Sequence, residues 1–289
     1  MTKAFKQKDL DSPQLFAQLL MSHVIGCDRL KLYTDADRPA NEIERATLRD
    51  LVQRAVNHEP VQYLTGEAMF FGMQISVNQS VLIPRPSSET IVESVLHHCK
   101  HQPGFGGKMG EGVLIADVCT GSGCIALALA KHLPGSRVVA TDISEDALIV
   151  ASANAERLGL SDRIEFIQGD LLEALSKQPA AGHAKALDFL VSNPPYIPDD
   201  EWDAVEPNVK DHEPTLALRG GMDGLALVRP LLNEAPKLVK EGGLVLVEVA
   251  ASRAEESRAI AAQSPRVKST EILKDFEGLD RVIRQTLGA

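Results

Sequence analysis

The chain has 289 residues, of which 44% are hydrophobic and 24% charged, and its formal net charge is −10. This is the composition of a globular protein of roughly two domains. It offers no run of about 18 apolar residues, so no membrane span is expected. Residues 1–64 hold nine Lys/Arg and nine Asp/Glu, and the other 225 hold 31 acidic against 21 basic. No basic stripe is present to track nucleic-acid phosphates, so a DNA partner is not expected.

In chain order, the first elements read as helices. Met1 to Asp9 lacks the apolar stretch of a signal peptide. Ser12-Pro13 marks a helix start, with Ser12 as cap and Pro13 at the first helical position. Leu15, Phe16, Leu19, Leu20 and Val24 then share a face. A second helix follows Asn41, with Glu44 placed for a capping box and a stripe of Leu48, Leu51, Val52, Ala55 and Val56. Residues 1–64 are expected to form a small helical domain. Phe70–Val77 and the run ending at Leu82-Ile83 read as two strands turning at Asn78-Gln79-Ser80, a hairpin linker over 65–84. Ser87-Ser88-Glu89 is expected to cap a helix carrying Ile91, Val92, Val95 and Leu96. A glycine-rich stretch, Gln102 to Gly112, follows.

From Val113 the rhythm becomes strand, helix, strand. Strands are expected at Val113–Val118, Val138–Thr141, Ile164–Gln168, Leu187–Val191 (with Ala186 at its head) and Leu244–Val249. Helices are expected at Ile125–Leu133, Glu145–Leu158 and Leu225–Val239. Such alternation predicts an α/β domain over 85–289, with a mostly parallel, Rossmann-like sheet covered on both faces. Ligands of such sheets bind at the carboxyl ends of the strands.

The loop leaving the first strand reads Asp117-Val118-Cys119-Thr120-Gly121-Ser122-Gly123. Gly121 and Gly123 allow a tight turn and close approach to a ligand, and a helix N-terminus follows. Asp142 ends the second strand, where a carboxylate can accept both hydroxyls of a ribose. Together these predict a nucleoside-cofactor site. The loop also satisfies GxGxxA, so a nicotinamide cofactor has to be weighed. Asp117 and Thr120 crowd the place of a pyrophosphate, and no dehydrogenase pattern follows. S-adenosylmethionine has no phosphates and carries a positive sulfonium, which an acidic strand end such as Asp117 suits. Asp170 is then placed to accept from an adenine amino group and Leu171 to pack on the ring; a simple loop or N-cap aspartate accounts for the Asp170 spacing equally well.

Asn193-Pro194-Pro195-Tyr196 ends the fourth strand. Proline fixes φ and restrains the residue before it, so the Asn193 side chain and the Pro194 carbonyl are held in a set relation. Two fixed oxygens can accept both hydrogens of a planar –NH2, and Tyr196 can stack on it. Acceptors on both N–H bonds also stabilise the positive charge that develops on an amide nitrogen under attack.

At these residues the chain resembles a known family. Asn193-Pro194-Pro195-Tyr196 is the signature of methyltransferases acting on planar amino groups. Ile83-Pro84-Arg85-Pro86-Ser87-Ser88-Glu89, Pro60-Val61-Gln62-Tyr63-Leu64-Thr65-Gly66, His212-Glu213-Pro214 with Gly221-Met222-Asp223-Gly224-Leu225, and Asp280-Arg281-Val282 are similar to segments of the release-factor glutamine N5-methyltransferases. The resemblance implies a class I S-adenosylmethionine-dependent methyltransferase domain behind a helical substrate-recognition domain. It implies methyl transfer to the glutamine of a Gly-Gly-Gln loop in peptide chain release factors, leaving S-adenosyl-L-homocysteine. Asn193 and Pro194 would orient the amide, with Pro195 and Tyr196 against it. The cofactor would lie among Asp117, Cys119, Thr120, Gly121, Ser122, Gly123, Asp142, Asp170, Leu171 and Asn193. The chain departs from the family at Ser87, where a Glu is usual, and at Cys119 and Cys124, where Gly and a small residue are common. The Cys-Thr-Gly-Ser-Gly-Cys loop also occurs in sister enzymes that methylate a ribosomal-protein glutamine, which leaves that branch as the alternative. A DNA or RNA adenine N6-methyltransferase shares the corner but would want a basic groove.

The remaining residues carry plainer expectations. Cys27, Cys99, Cys119 and Cys124 form no CxxC pair and no zinc pattern, so reduced thiols in the cytoplasm and no metal are expected. His212-Glu213 lacks the second His of HExxH and is expected to order a loop. Arg85 is expected to be solvated or ion-paired, and Trp202 to pack or lie on a lid. Nothing in the sequence reads out oligomeric state, and a monomer is the default expectation.

Overall fold

The structure is a computed structural model and describes residues 1–8, 12–35, 37–177 and 187–288. Ala186 and Asp9 lie outside the described residues. Five helices open the chain: α1 (Thr2–Gln7), α2 (Pro13–Ile25), α3 (Lys31–Thr34), α4 (Glu42–Val56) and α5 (Val61–Thr65). The expected capping box is present at α4, with the Asn41 side chain accepting from the Glu44 N–H and Glu44 reaching back to the Asn41 N–H. Pro13 does start α2, but Ser12 sits at φ 47° and its side chain caps nothing. Phe5, Ala17, Leu20, Leu51, Ala55, Val61 and Leu64 form a small apolar core of their own. Leu15, expected on that face, is turned to solvent.

Strands β1 (Glu67–Phe70) and β2 (Met73–Ser76) form an antiparallel hairpin. Its turn is Phe71-Gly72, both at positive φ (47° and 70°), one turn earlier than the sequence predicts. Two-residue hairpin loops favour this twist, but Phe in a left-handed conformation disguises it as strand. Asn78 still turns the chain, accepting from the Ser80 N–H at 2.9 Å, yet no strand follows it. The inward hairpin residues Ala68, Phe70, Met73 and Ile75 pack in the large core of the following domain.

After α6 (Glu89–His101) come β3 (Leu114–Val118), α7 (Cys124–His132), β4 (Arg137–Asp142), α8 (Glu145–Arg157), β5 (Ile164–Gln168), α9 (Glu173–Lys177) and β6 (Leu187–Ser192). Then follow α10 (Pro207–Lys210), α11 (Val228–Glu234), β7 (Val239–Glu248), α12 (Ala254–Ala261), β8 (Val267–Lys274) and β9 (Asp280–Leu287). The sheet order is β5-β4-β3-β6-β7-β9-β8. Strands β3 to β7 run parallel, and β9 and β8 are antiparallel. The expected α/β class is therefore observed. The last expected helix is shorter: α11 ends at Glu234 and a 3-10 turn with Pro236 inside it completes the segment. Strand β7 in turn starts at Val239, ahead of the expected Leu244; Val239 pairs with Leu187 and Leu244 with Phe189 of β6, with a register shift between them.

The order reverses between β3 and β6, which makes their carboxyl ends the switch point. Register places Val118 beside both Thr141 and Ser192, and Asp142 beside Gln168. The loops that follow these strands thus emerge side by side.

Candidate active site

Those loops border a cavity of about 490 Å³. Cys119, Thr120, Gly121, Ser122, Asp142, Asp170, Leu171, Asn193 and Pro195 line it, together with the 80–85 segment, Ser88 and the 214–217 segment. Of the residues singled out from sequence, Asp117, Gly123, Pro194 and Tyr196 are not on its wall.

Asp117 corrects the expectation of an acidic group facing the ligand. It is fully buried in β3, where its Oδ2 accepts from Thr120 Oγ1 at 2.7 Å and from the Ala126 N–H at 3.0 Å. It holds the loop to the start of α7 instead. Burial pushes its pKa up to about 7, against the opposing pull of those two donors. Its Oδ1 is buried without a hydrogen-bond partner. Gly123 is off the cavity wall and lies against α8, where a Cβ would meet Ala151 Cβ at 3.1 Å. Cys119, at φ 61°, occupies a backbone region that favours glycine. Burial raises its thiol pKa and pushes that of Cys124 up to about 12, and none of the four cysteines is in a disulfide.

Asp142 is anchored by two backbone donors, Gly121 N–H to Oδ2 at 2.9 Å and Ser144 N–H to Oδ1 at 3.0 Å. Burial raises its pKa while those bonds oppose the rise. Asp170 is exposed at the rim, and Leu171 follows at φ 42°.

The Asn-Pro-Pro-Tyr corner is held from several sides. Ser192, the last residue of β6, donates Oγ to the Val118 carbonyl at 2.7 Å. Asn193 Nδ2 donates to Ser88 Oγ at 3.1 Å. The Tyr196 ring packs into the apolar cluster on its side of the sheet, and its hydroxyl donates to Glu248 Oε1 at 3.0 Å. The residue as a whole is half-buried. Burial and the neighbouring Glu248 carboxylate raise its pKa. The Gly-rich turn after Arg219 explains itself here: a Cβ at Gly224 would meet the Tyr196 carbonyl at 2.5 Å, and one at Gly220 the Tyr196 Cα at 2.7 Å.

Glu248 and the role of Ser88 do not stand out in the sequence. Glu248, fully buried at the end of β7, accepts from Ser88 Oγ at 2.5 Å and Ser87 Oγ at 3.2 Å. Ser88 thus caps no helix end. A charged residue closing the apolar run Leu244–Val247 was the available signal. Two distant segments also meet: Arg85 pairs with Glu213 at 2.5 Å, and Glu213 accepts from the Ile83 N–H at 3.0 Å. Arg85 is thus an ion-pair partner, and Glu213 orders its loop. His212 Nε2 lies 3.2 Å from the Asn57 carbonyl in the N-terminal helical unit.

Known proteins decide what such a site belongs to. The PrmC N-terminal domain family matches residues 1–66, and the methyltransferase domain family matches residues 115–212. The release factor glutamine methyltransferase of Chlorobaculum tepidum is 40% identical over 277 residues, covering 96% of this chain and 91% of that protein. This chain belongs to the release factor glutamine methyltransferase family. The Rhodopirellula baltica member is 36% identical over 98% of this chain and 92% of its own length. A methyltransferase from Pyrococcus furiosus shares the fold at 18% identity, with a TM-score of 0.53 over 85% of this chain and 99% of that one. The chain is thus a methyltransferase by family, and among the described residues no helix is long and apolar enough to cross a membrane.

Proposed function

We propose that this protein transfers a methyl group from S-adenosylmethionine to the side-chain amide nitrogen, N5, of the glutamine in the Gly-Gly-Gln loop of peptide chain release factors. The observation that carries the reading is Asn193 on the wall of the same cavity as Gly121 and Asp142. A planar-amide acceptor and a nucleoside cofactor would then share one space. The names of the relatives supply the release factor.

The wall suits this cofactor better than a phosphate-bearing one. Its two arginines, Arg85 and Arg219, are already paired with Glu213 and Asp199. Beyond Gly121 there is open space where a side chain would stand, and Asp142 keeps lone pairs free for ribose hydroxyls after its two backbone bonds. Asp170 and Leu171 would meet the base. When bound, S-adenosylmethionine supplies a methyl on a positive sulfur. The chain's own part is positioning. The Asn193 Oδ1 and the Pro194 carbonyl would accept the two hydrogens of the substrate amide, while Pro195 would bound the site. Tyr196 would keep the corner in place through Glu248. Fixed acceptors stabilise positive charge on the nitrogen without reorganising. Residues 1–64 would grip the partner, with 65–84 linking them to the catalytic domain at 85–289.

The test is mass spectrometry of release factors incubated with the protein and methyl-labelled S-adenosylmethionine. Label on the Gly-Gly-Gln glutamine is expected; label on a ribosomal protein alone would move the substrate. Asn193→Ala is expected to abolish transfer while S-adenosylmethionine still binds by calorimetry. Loss of binding too would remove the role given to Asn193.

A further inference from the structure

We propose that Ser88 and Glu248 are positioning residues that decide which end of the Asn193 carboxamide faces the acceptor. This rests on the reading of Asn193 as the amide-orienting residue. An Asn side chain has nearly the same shape in both flips, but only one flip presents an oxygen. The wrong one would set an –NH2 against the –NH2 of the substrate.

The polar chain behind Asn193 removes that ambiguity. Glu248 is fully buried, and three hydroxyls point at its carboxylate: Ser88 at 2.5 Å, Tyr196 at 3.0 Å and Ser87 at 3.2 Å. Arg281, on β9 and ion-paired with Asp275 at 3.2 Å, adds a positive charge that favours the Glu248 carboxylate. Burial raises the Glu248 pKa, and the Ser88 and Tyr196 hydroxyls, the Arg281 charge and the Ser87 hydroxyl pull against that rise. Three hydroxyls converging on one carboxyl group are the pattern of an acceptor-only, ionised carboxylate. An ionised carboxylate only accepts, so it takes the single proton of the Ser88 hydroxyl. Ser88 Oγ then has only lone pairs to offer. Asn193 can meet it with Nδ2 alone, at the observed 3.1 Å. Its Oδ1 is left for the cavity. The protons of the chain all run toward Glu248, and the direction is set some distance from the reacting nitrogen.

Glu248→Gln keeps the shape and reverses the direction. Its Oε1 still faces Tyr196 and Ser87, and its Nε2 donates to Ser88. The Ser88 proton then turns to Asn193, which presents its –NH2 to the cavity. Ser88→Ala removes the link, and Ser88→Thr keeps the hydroxyl.

Two readouts test this on the full chain. In nitrogen-15 NMR, the Asn193 side-chain amide is expected to be protected from solvent exchange in the wild type and Ser88→Thr, and unprotected in Ser88→Ala and Glu248→Gln. In methyl transfer to a release factor, kcat is expected to fall about 10²-fold in Ser88→Ala and Glu248→Gln, the scale of a misplaced reacting group. KM and S-adenosylmethionine affinity should stay within about threefold, and Ser88→Thr should keep kcat within about threefold, since neither substrate contact is removed. Unchanged exchange and unchanged kcat in both disruptive variants would overturn the proposal. So would cofactor affinity falling in step with kcat, or Ser88→Thr failing as Ser88→Ala does. If the wild type methylates no release factor while the Asn193 amide shows the expected protection pattern, the acceptor assignment fails and the orientation mechanism stands.

Discussion

Gly121 and Gly123 are two residues apart, and both have positive φ, 55° and 81°. They face different surroundings. A Cβ on Gly123 runs into Ala151 and Leu127, at 3.1 and 3.3 Å, whereas one on Gly121 enters open space. Gly123→Ala is expected to lower stability by about 2 kcal/mol or more, from left-handed backbone strain plus crowding between α7 and α8. Gly121→Ala is expected to cost about 1 kcal/mol while weakening S-adenosylmethionine binding more than tenfold. Denaturant unfolding and calorimetry on both variants separate the two effects. Asp117 gives a pH signature. Its folded pKa is raised to about 7 from an unfolded 3.8, so the folded state holds its proton more tightly. The stability it contributes is full below about pH 4 and is lost as pH rises to about 7. Asp117→Asn should therefore lose less stability than wild type between pH 4 and pH 7.5, read from urea midpoints. Equal slopes would show that Asp117 titrates normally.

At the scale of elements, the pair Arg85–Glu213 joins the stretch before α6 to the segment after α10. The Glu213 side chain is 1% exposed and that of Arg85 31%. Arg85→Met would leave a buried carboxylate with only the Ile83 N–H, at a cost of about 3 kcal/mol. Double substitution with Glu213→Gln should recover much of that loss in the same unfolding assay. The sequence let these segments be noticed but not joined, because 128 positions separate them and no local pattern encodes the meeting. Legibility followed locality elsewhere too. The strands from β3 to β6, the capping box of α4 and the loop after β3 were readable from short windows, as was the cavity position of Asn193 and Asp142. The hairpin turn at Phe71-Gly72 was not, since a bulky residue there contradicts turn statistics and only packing of the hairpin face on the core selects it. The early start of β7 was not readable either: Gly242-Gly243 lies in an irregularity between the Val239 and Leu244 pairings with β6, and only those flanking pairings carry the strand past it. Ser88 looked like a cap and Glu248 drew no reading, because the contact that gives them meaning is tertiary.

At the scale of the molecule, the cavity lies where β3, β4, β5 and β6 end, so its occupant bridges most of the parallel sheet. S-adenosylhomocysteine at 100 times its Kd should add about 2.7 kcal/mol, raising the melting temperature by several degrees, and Asp142→Ala should abolish the rise. No shift in the wild type would argue that the cavity holds something else. One further region reaches across the whole site. The chain leaves the Asn-Pro-Pro-Tyr corner at Ile197 and returns beside it, with Ile197 N–H bonded to Leu218 O and Gly220 N–H to Ile197 O, both at 2.9 Å. The returning limb, 214–217, forms part of the cavity wall. Within this pinned excursion sits Trp202, its ring 5.2 Å from the Arg219 guanidinium and 5.7 Å from the Lys210 ammonium. It is the only tryptophan in the chain. Its emission therefore reports on this one segment, where two cations lie over the ring. Arg219 is on the cavity wall and stacks on Trp202, so the protein carries its own optical reporter one residue away from the cavity, readable without a label or a substrate.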